Sequence, residues 1–526
     1  MSRSVPPQRW LLALLLACLA LPAAAQRELR FDAYAVPQGG TVAVAMRGDG
    51  PQSGAFAAVD AATSGALSRA VAAAGFKGRA DTRLDLPGLA PFDRVLVVGA
   101  GSEALDARAL EDIGGRVGQF AAGSTAPRVE LLWAGDEPDA ASHLAFGAVL
   151  GGYRFDKYRT ARGADEDADA PQAGRGELVV RSAAGAAAAQ GYERDWRPVA
   201  DGVRFARDLV TEPANAVWPE EFVRRTREAF AGMPNVSIEV LDVPAMERLG
   251  MGSLLAVGQG SARPPRLLAV RYDGGARGEA PVAFVGKGIT FDTGGISIKG
   301  SDGMWRMKYD MTGAASATGA LLALAGRRAP VNAVAVAALA ENMPSGSAVR
   351  PGDVIRTAAG RTYEVMSTDA EGRMVLVDAL WYVQDRHRPR AIVDIATLTG
   401  AIVTALGNDY AGLFSRDETL AGQLVAAGEA AGEPLWRMPL HRGYGKMLAS
   451  PIADLRNGGG RPGSSTAAHF IGEWVDRDTP WAHLDIAGMA WNETAGTATS
   501  PAGATAFGVR LFDRWVRDHV EAPAAR

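Results

Sequence analysis

The chain has 526 residues, 48% hydrophobic and 22% charged, with a formal net charge of −4 at pH 7. That length exceeds one ordinary core, so two or more domains are expected, with the composition of a soluble globular protein. The acidic balance and the lack of a long basic run speak against a nucleic-acid partner.

The first 25 residues read as an export signal. Arg3 and Arg9 give a positive start, Trp10 to Leu21 is an apolar run of 12 residues, and Pro22-Ala23-Ala24-Ala25 offers a small-residue cleavage site. The run is too short to span a bilayer, and no later segment is long and apolar enough to do so. A periplasmic or secreted location is expected, with no stable membrane insertion after cleavage. The only cysteine, Cys18, lies inside this run. The mature chain then has no thiol for a disulfide or a thiolate zinc site.

Residues 26–190 read as an N-terminal α/β domain. Arg94 to Gly99 is a short buried strand, and a helical pattern runs from about Ala107 to Ala122. The intervening Gly99-Ala100-Gly101 is an incomplete dinucleotide fingerprint, and so a plain strand-to-helix turn. Residues 163–176 are acidic and Ala-rich, a surface loop.

Residues 195–526 read as a second domain. A helix over Arg204 to Val210 breaks at Thr211 to Asn215, and Pro219 opens the next helix. Strands are expected at Ser237–Val240, Leu267–Tyr272, Val282–Val285, Ala333–Ala338, Ala391–Ile395 and Trp481–Ile486. Helices are expected at Met307–Leu324, Met374–Gln384 and Ala467–Val475. This alternation predicts an α/β fold with a mostly parallel central sheet covered by helices.

Charged residues interrupt this apolar, Gly-rich frame in two places. Lys287, Asp292, Lys299 and Asp310 follow the Val282–Val285 strand, and Asp369, Glu371 and Arg373 lie in Ser367-Thr368-Asp369-Ala370-Glu371-Gly372-Arg373. Each taken alone reads as a turn residue, a cap or a surface charge. Together, some of four carboxylates crowded without cations would protonate, and two divalent ions would balance them. Oxygen-rich sites suit zinc, manganese or magnesium. Such a pair activates water and polarises a scissile carbonyl. Lys287 would then be a neutral amine ligand, while Lys299 and Arg373 stay cationic and stabilise an oxyanion.

Other chemistries find less support. None of the six histidines forms His-Glu-x-x-His, and His483 on an apolar strand reads as a core or subunit-contact residue. No nucleophile elbow accompanies a plausible triad, and no phosphate loop is complete.

These residues resemble the leucyl aminopeptidases of the dinuclear-metal, cytosol-aminopeptidase family. The segment Val285 to Lys299 resembles the family's first metal segment, Asp310 to Ala315 its second, and Ser367 to Arg373 its Asn-Thr-Asp-Ala-Glu-Gly-Arg signature. Asp394 to Gly400, Trp481 to Gly488 and Tyr153 to Tyr158 also match. The resemblance implies that Asp292 and Glu371 bridge two ions. Lys287 and Asp310 complete one site and Asp369 the other. It further implies that Lys299 polarises the substrate carbonyl and that Arg373 holds a bicarbonate general base. Met307, Thr397, Gly400 and Ala487 match positions lining the pocket for the first side chain, although an ordinary core role fits them nearly as well. It also implies peptide substrates with neutral, leucine-like N-termini and a homo-hexamer.

Three departures stand out. Ser367 replaces the signature Asn, and Thr293 a frequent Ser. The export signal contrasts with the cytosolic location of the best-known members. The competing readings are a DNA-binding or catalytically silent relative of the same fold, and a two-metal phosphoesterase.

Overall fold

The structure, a computed structural model, describes residues 26–159, 173–494 and 496–521. The expected signal, Cys18 and most of the acidic loop lie outside the described residues. The N-terminal unit contains β1 (Glu28–Ala33), β2 (Thr41–Met46), β3 (Arg83–Pro87), β4 (Arg94–Gly99), β5 (Arg128–Trp133) and β6 (Glu177–Ser182). They form one sheet, ordered β1-β6-β5-β2-β4-β3, parallel except between β3 and β4. The β4 run Val95 to Val98 is buried throughout, as a strand covered on both faces should be. Asp106 caps the following helix, Ala107–Gly123, by accepting from Ala109 N.

The second unit contains β7 (Val236–Leu241), β8 (Arg266–Asp273), β9 (Val282–Asp292), β10 (Asn332–Asn342), β11 (Val354–Arg356) and β12 (Thr362–Glu364). It continues with β13 (Ala391–Ala396), β14 (Ala411–Ser415), β15 (Leu435–Arg437), β16 (Leu455–Arg456) and β17 (Trp481–Asp485). Eight of these form the central sheet, β15-β14-β17-β13-β9-β10-β8-β7, while β11, β12 and β16 form a small sheet beside it. The inner strands β17, β13, β9 and β10 are parallel; β14 and β8 flank them antiparallel. Their carboxyl ends therefore share one edge, the edge at which ligands bind in such sheets.

Alternation along β9 assigns each face its cover. Val282 and Phe284 join the core beneath the helix Thr312–Gly326, and Ala283 and Val285 join the core beneath the helix Glu371–His387. The first of these cores also takes in Ala43, Leu96 and Leu144, so it continues into the N-terminal unit. The result is a two-domain α/β fold with mixed, mostly parallel sheets.

Three boundaries beside the charged segments differ from the sequence expectation. The third expected strand does not stop at Val285 but continues to Asp292, so Lys287 lies on the strand. Its glycines suggest a turn, yet they serve close packing: a Cβ on Gly286 would lie 2.4 Å from Ala314 Cα. The expected helix at Met307–Leu324 is split into a 3-10 segment, Met304–Met311, and the α-helix Thr312–Gly326, with Asp310 near the junction. The helix expected from Met374 begins at Glu371, which puts Glu371 and Arg373 on its first turn.

Candidate active site

All seven charged residues singled out in the sequence meet at the carboxyl edge of the central sheet. Lys287 and Asp292 both come from β9. Five residues apart, they would point to opposite faces of a regular strand. A register shift against β10 at Ala340/Glu341 inserts one extra residue between them and allows both to face the site. Asp310 comes from the 3-10 segment, Lys299 from the loop after β9, and Asp369 from the turn before the helix Glu371–His387.

Lys287 is nearly inaccessible and spends its three protons within the cluster. Its Nζ lies 2.7 Å from Asp310 Oδ1 and 2.8 Å from Glu371 Oε1, and donates to Thr397 O at 2.7 Å. Lys299 Nζ lies 2.9 Å from Asp292 Oδ2 and 2.5 Å from Asp369 Oδ1. Asp292 Oδ1 accepts from Gly294 N and Asn342 Nδ2, each at 2.8 Å. Arg373 donates through Nη1 to Asn457 O at 2.6 Å. The helix start also explains Gly372. It is not a turn residue here; a Cβ would lie 2.7 Å from Lys287 Cδ and Cε, so glycine makes room for the lysine.

Burial dominates the electrostatics. It pushes the Glu371 carboxyl up to about 8, with Asp292 adding repulsion and Lys287 opposing it. Burial likewise raises Asp310 and Asp369 and lowers Arg373 to about 10. Burial alone would lower Lys287, but the carboxylates of Asp310 and Glu371 outweigh it and hold the amine protonated. The neutral amine expected from the sequence therefore requires further positive charge among these carboxylates.

The donor set fits such charge. One oxygen each of Asp292, Asp369 and Glu371 lie within 4.8 Å of one another. Asp310 Oδ2 and Glu371 Oε2 are buried and have no hydrogen-bond partner among the described residues. Buried carboxylate oxygens without partners are costly, and hard or borderline divalent cations are the partners they suit. A cavity of about 410 Å³ bordered by Tyr153, Tyr192 and Arg207 lies apart from these carboxylates, so volume does not locate the site. Convergent charge does.

A model of the cytosol aminopeptidase family's catalytic domain matches residues 204–512, and one of its N-terminal domain matches residues 42–162. The chain belongs to the cytosol aminopeptidase family. Among its relatives, a probable cytosol aminopeptidase of Caulobacter vibrioides is 48% identical over 472 residues, covering 88% of this chain and 93% of that protein. One from Rhodopseudomonas palustris (strain ATCC BAA-98 / CGA009) is 46% identical over 506 residues, covering 94% and 99%. A mutant of tomato leucine aminopeptidase superposes with a TM-score of 0.82 at 30% identity, covering 94% of this chain and 97% of that one. The bottromycin maturation enzyme BotP in complex with Mn gives 0.77 at 35% identity, covering 91% and 98%. The protein is an aminopeptidase.

Around the charged cluster, three polar residues that sequence reasoning missed hold the segments in register. Asn342 donates to Asp292 Oδ1 and also to Thr368 O (3.1 Å), bridging both charged segments. Thr368 Oγ1 donates to Gly294 O (2.6 Å) and accepts from Ser297 N (2.8 Å). Asn457 accepts from Met366 N (2.7 Å) and donates to Ser367 O (2.8 Å), while its own carbonyl holds Arg373. Asn342 carried a readable signal, an amide closing a long, mostly apolar strand. Asn457 carried none.

The expected pocket residues divide. Thr397 is buried, and its Oγ1 donates to Asp310 Oδ1 at 2.6 Å. Gly400 is exposed at the start of the helix Gly400–Leu406, with open space where a Cβ would stand. Ala487 is half-buried and packs against a small cluster of Ile402, Phe414 and Ala468. Met307 is half-buried on the 3-10 segment, three residues before Asp310. His483 is fully buried; its Nδ1 meets Asp394 Oδ1 at 2.5 Å, and its Nε2 has no partner among the described residues.

Proposed function

We propose that this aminopeptidase uses two divalent metal ions, zinc or manganese, to remove neutral, leucine-like residues from the N-termini of peptides. The observation that carries the reading is the set of convergent carboxylates with two buried oxygens that have no partner among the described residues. The Mn complex of BotP adds support for divalent metal use. Asp292 and Glu371 would be shared between the ions, with Lys287 and Asp310 completing one site and Asp369 the other. When bound, the ions supply Lewis-acid polarisation of the scissile carbonyl and an activated water.

The chain's own groups supply the rest. Lys299 is a long cation at the site's margin, about one quarter exposed, and can turn from Asp369 towards a developing oxyanion. Arg373 keeps Nε buried without a partner among the described residues, which suits a small anion such as a bicarbonate that accepts the proton. Asn342 and Thr368 keep the two carboxylate segments at fixed separation while charge is redistributed. Export to the periplasm rests on the N-terminal sequence alone. A hexamer is supported by exposed apolar side chains, Ile298, Trp305 and Ile452 among them, which a subunit contact would cover.

The test is hydrolysis of leucine p-nitroanilide by protein from the periplasmic fraction, with its metal content measured in parallel. Activity should vanish in chelator and return with zinc or manganese. Asp369→Ala and Lys299→Ala should fold normally yet lose roughly 10²–10³-fold or more in kcat. Wild-type turnover in either variant refutes the site. Light scattering should give about six times the chain mass.

A further inference from the structure

Asp485 ends β17 fully buried, and nothing above uses it. Its Oδ1 accepts from three backbone N–H groups: Leu398 at 3.1 Å, Thr399 at 3.3 Å and Ala487 at 3.4 Å. Its Oδ2 accepts from the Thr399 hydroxyl at 2.6 Å. One carboxylate therefore clamps the segment leaving β13 to the segment leaving β17. A carboxyl group buried this deeply is tolerated only where donors converge on it, and here most are main-chain dipoles that cannot rotate away.

The clamped segments are those that carry Thr397, Gly400 and Ala487. Thr397 reaches inward to the charged cluster. Its hydroxyl donates to Asp310 Oδ1 and its carbonyl accepts from Lys287 Nζ. Thr399 reaches outward, accepting from Ile402 N at 3.1 Å to cap the helix that starts at Gly400. Asp485 is thus one hydrogen bond from the expected pocket wall and two from a proposed metal ligand.

We infer that Asp485 is a positioning residue that sets the side-chain pocket and the Asp310–Lys287 ligand pair in one geometry. Selection of the first residue and retention of metal then depend on the same carboxylate. This rests on the metal-dependent reading above. Asparagine at 485 keeps one acceptor but turns an amide N–H₂ towards the Thr399 hydroxyl, which can then no longer donate.

The test compares Asp485→Asn, Thr399→Val and Thr399→Ser. Each is assayed for kcat and KM on leucine and alanine p-nitroanilides, and for metal retained during chelator titration without substrate. Asp485→Asn and Thr399→Val should keep the wild-type circular dichroism. They should lose leucine-over-alanine preference roughly tenfold or more, mainly through KM, and release metal at lower chelator concentration. Thr399→Ser keeps the hydroxyl and should match wild type. If Asp485→Asn does not fold, the Thr399 pair decides. A Thr399→Val protein with wild-type selectivity and metal retention overturns this inference alone. A wild-type protein that neither retains metal nor cleaves either substrate overturns the reading of the site, and the inference with it.

Discussion

Ser367 accepts a hydrogen bond at Oγ from Asp369 N, 3.2 Å away. That is a turn closed by a side chain two residues upstream of the donor, the conformation an Asn side chain also closes, and more strongly. The departure from the family signature therefore preserves the local fold. Asn457 holds the same residue from outside through its backbone carbonyl, so the segment has two independent restraints. Ser367→Asn should leave kcat within a few-fold of wild type. Ser367→Ala removes the side-chain restraint and should cost about 1 kcal/mol or less in melting experiments, because Asn457 remains. A larger activity loss in Ser367→Ala than in Ser367→Asn would show that the turn places Asp369. The sequence alone left this residue unexplained, because a hydroxyl-for-amide exchange acquires meaning only when its acceptor geometry is known. The charged residues were legible for the opposite reason. Lys287 and Asp292 break an apolar run, Asp369 and Glu371 crowd two carboxylates into three residues, and a buried charge needs a partner wherever the chain goes.

At the scale of elements, β9 and the helix Glu371–His387 build the site by fitting closely at Gly372. Sequence periodicity found both elements but misplaced their ends at the site itself. Gly286 and Gly288 resemble a turn, and Ala370 to Gly372 resembles a loop, because close approach and conformational freedom call for the same residue. Gly372→Ala separates these roles. Alanine favours the helix by up to about 1 kcal/mol, so a protein that needs glycine only for flexibility should melt unchanged or higher and stay active. With a Cβ 2.7 Å from the Lys287 stem, the lysine must shift. The expected result is a melting temperature that is not raised, because overpacking against the buried lysine offsets the helix gain, with clearly reduced metal content and activity. The other end of the same helix supplies a pH prediction. His387 is partly buried, and burial, reinforced by Arg271, lowers its pKa to about 4, with Glu239 opposing. Unfolded, it titrates near 6.5. The unfolded chain therefore binds more protons between those values, and the stability contribution present above 6.5 is lost as pH falls towards 4. His387→Gln should narrow the difference in melting temperature between pH 7 and pH 4.5, since the variant has no imidazole to charge.

For the whole molecule, the question is what makes two α/β units one body. The shared apolar core is part of the answer, and Arg207 is another. It is fully buried on the helix Arg197–Thr211, and donates to Leu150 O (2.8 Å) in the N-terminal unit and to Thr499 O (2.9 Å) and Thr505 O (3.2 Å) in the catalytic unit. Burial lowers its pKa to about 10, so it remains charged at neutral pH, held by carbonyl oxygens. Nearby, Glu212 is also buried and takes Lys157 (2.6 Å), Arg225 (2.7 Å) and the Tyr158 hydroxyl, fastening the segment Tyr153 to Tyr158. That segment's likeness to the family was readable in the sequence, but its partner was not, since Glu212 lies 54 residues beyond Tyr158 in the chain. Arg207→Met keeps much of the volume and removes the donors. Two buried carbonyls and one half-buried carbonyl then lose their donor, at roughly 1–3 kcal/mol for each that stays dry, part of which water entering the domain boundary would return. A net loss of about 3 kcal/mol is expected, read as a lower denaturation midpoint. The location of the damage is the sharper measurement. Hydrogen exchange should rise at the helix Pro138–Gly151 and at residues 496–505, which Arg207 joins, and not along β9 or β13. Equal exchange at the boundary and in the central sheet would mean that Arg207 stabilises the fold globally and is no link between the units.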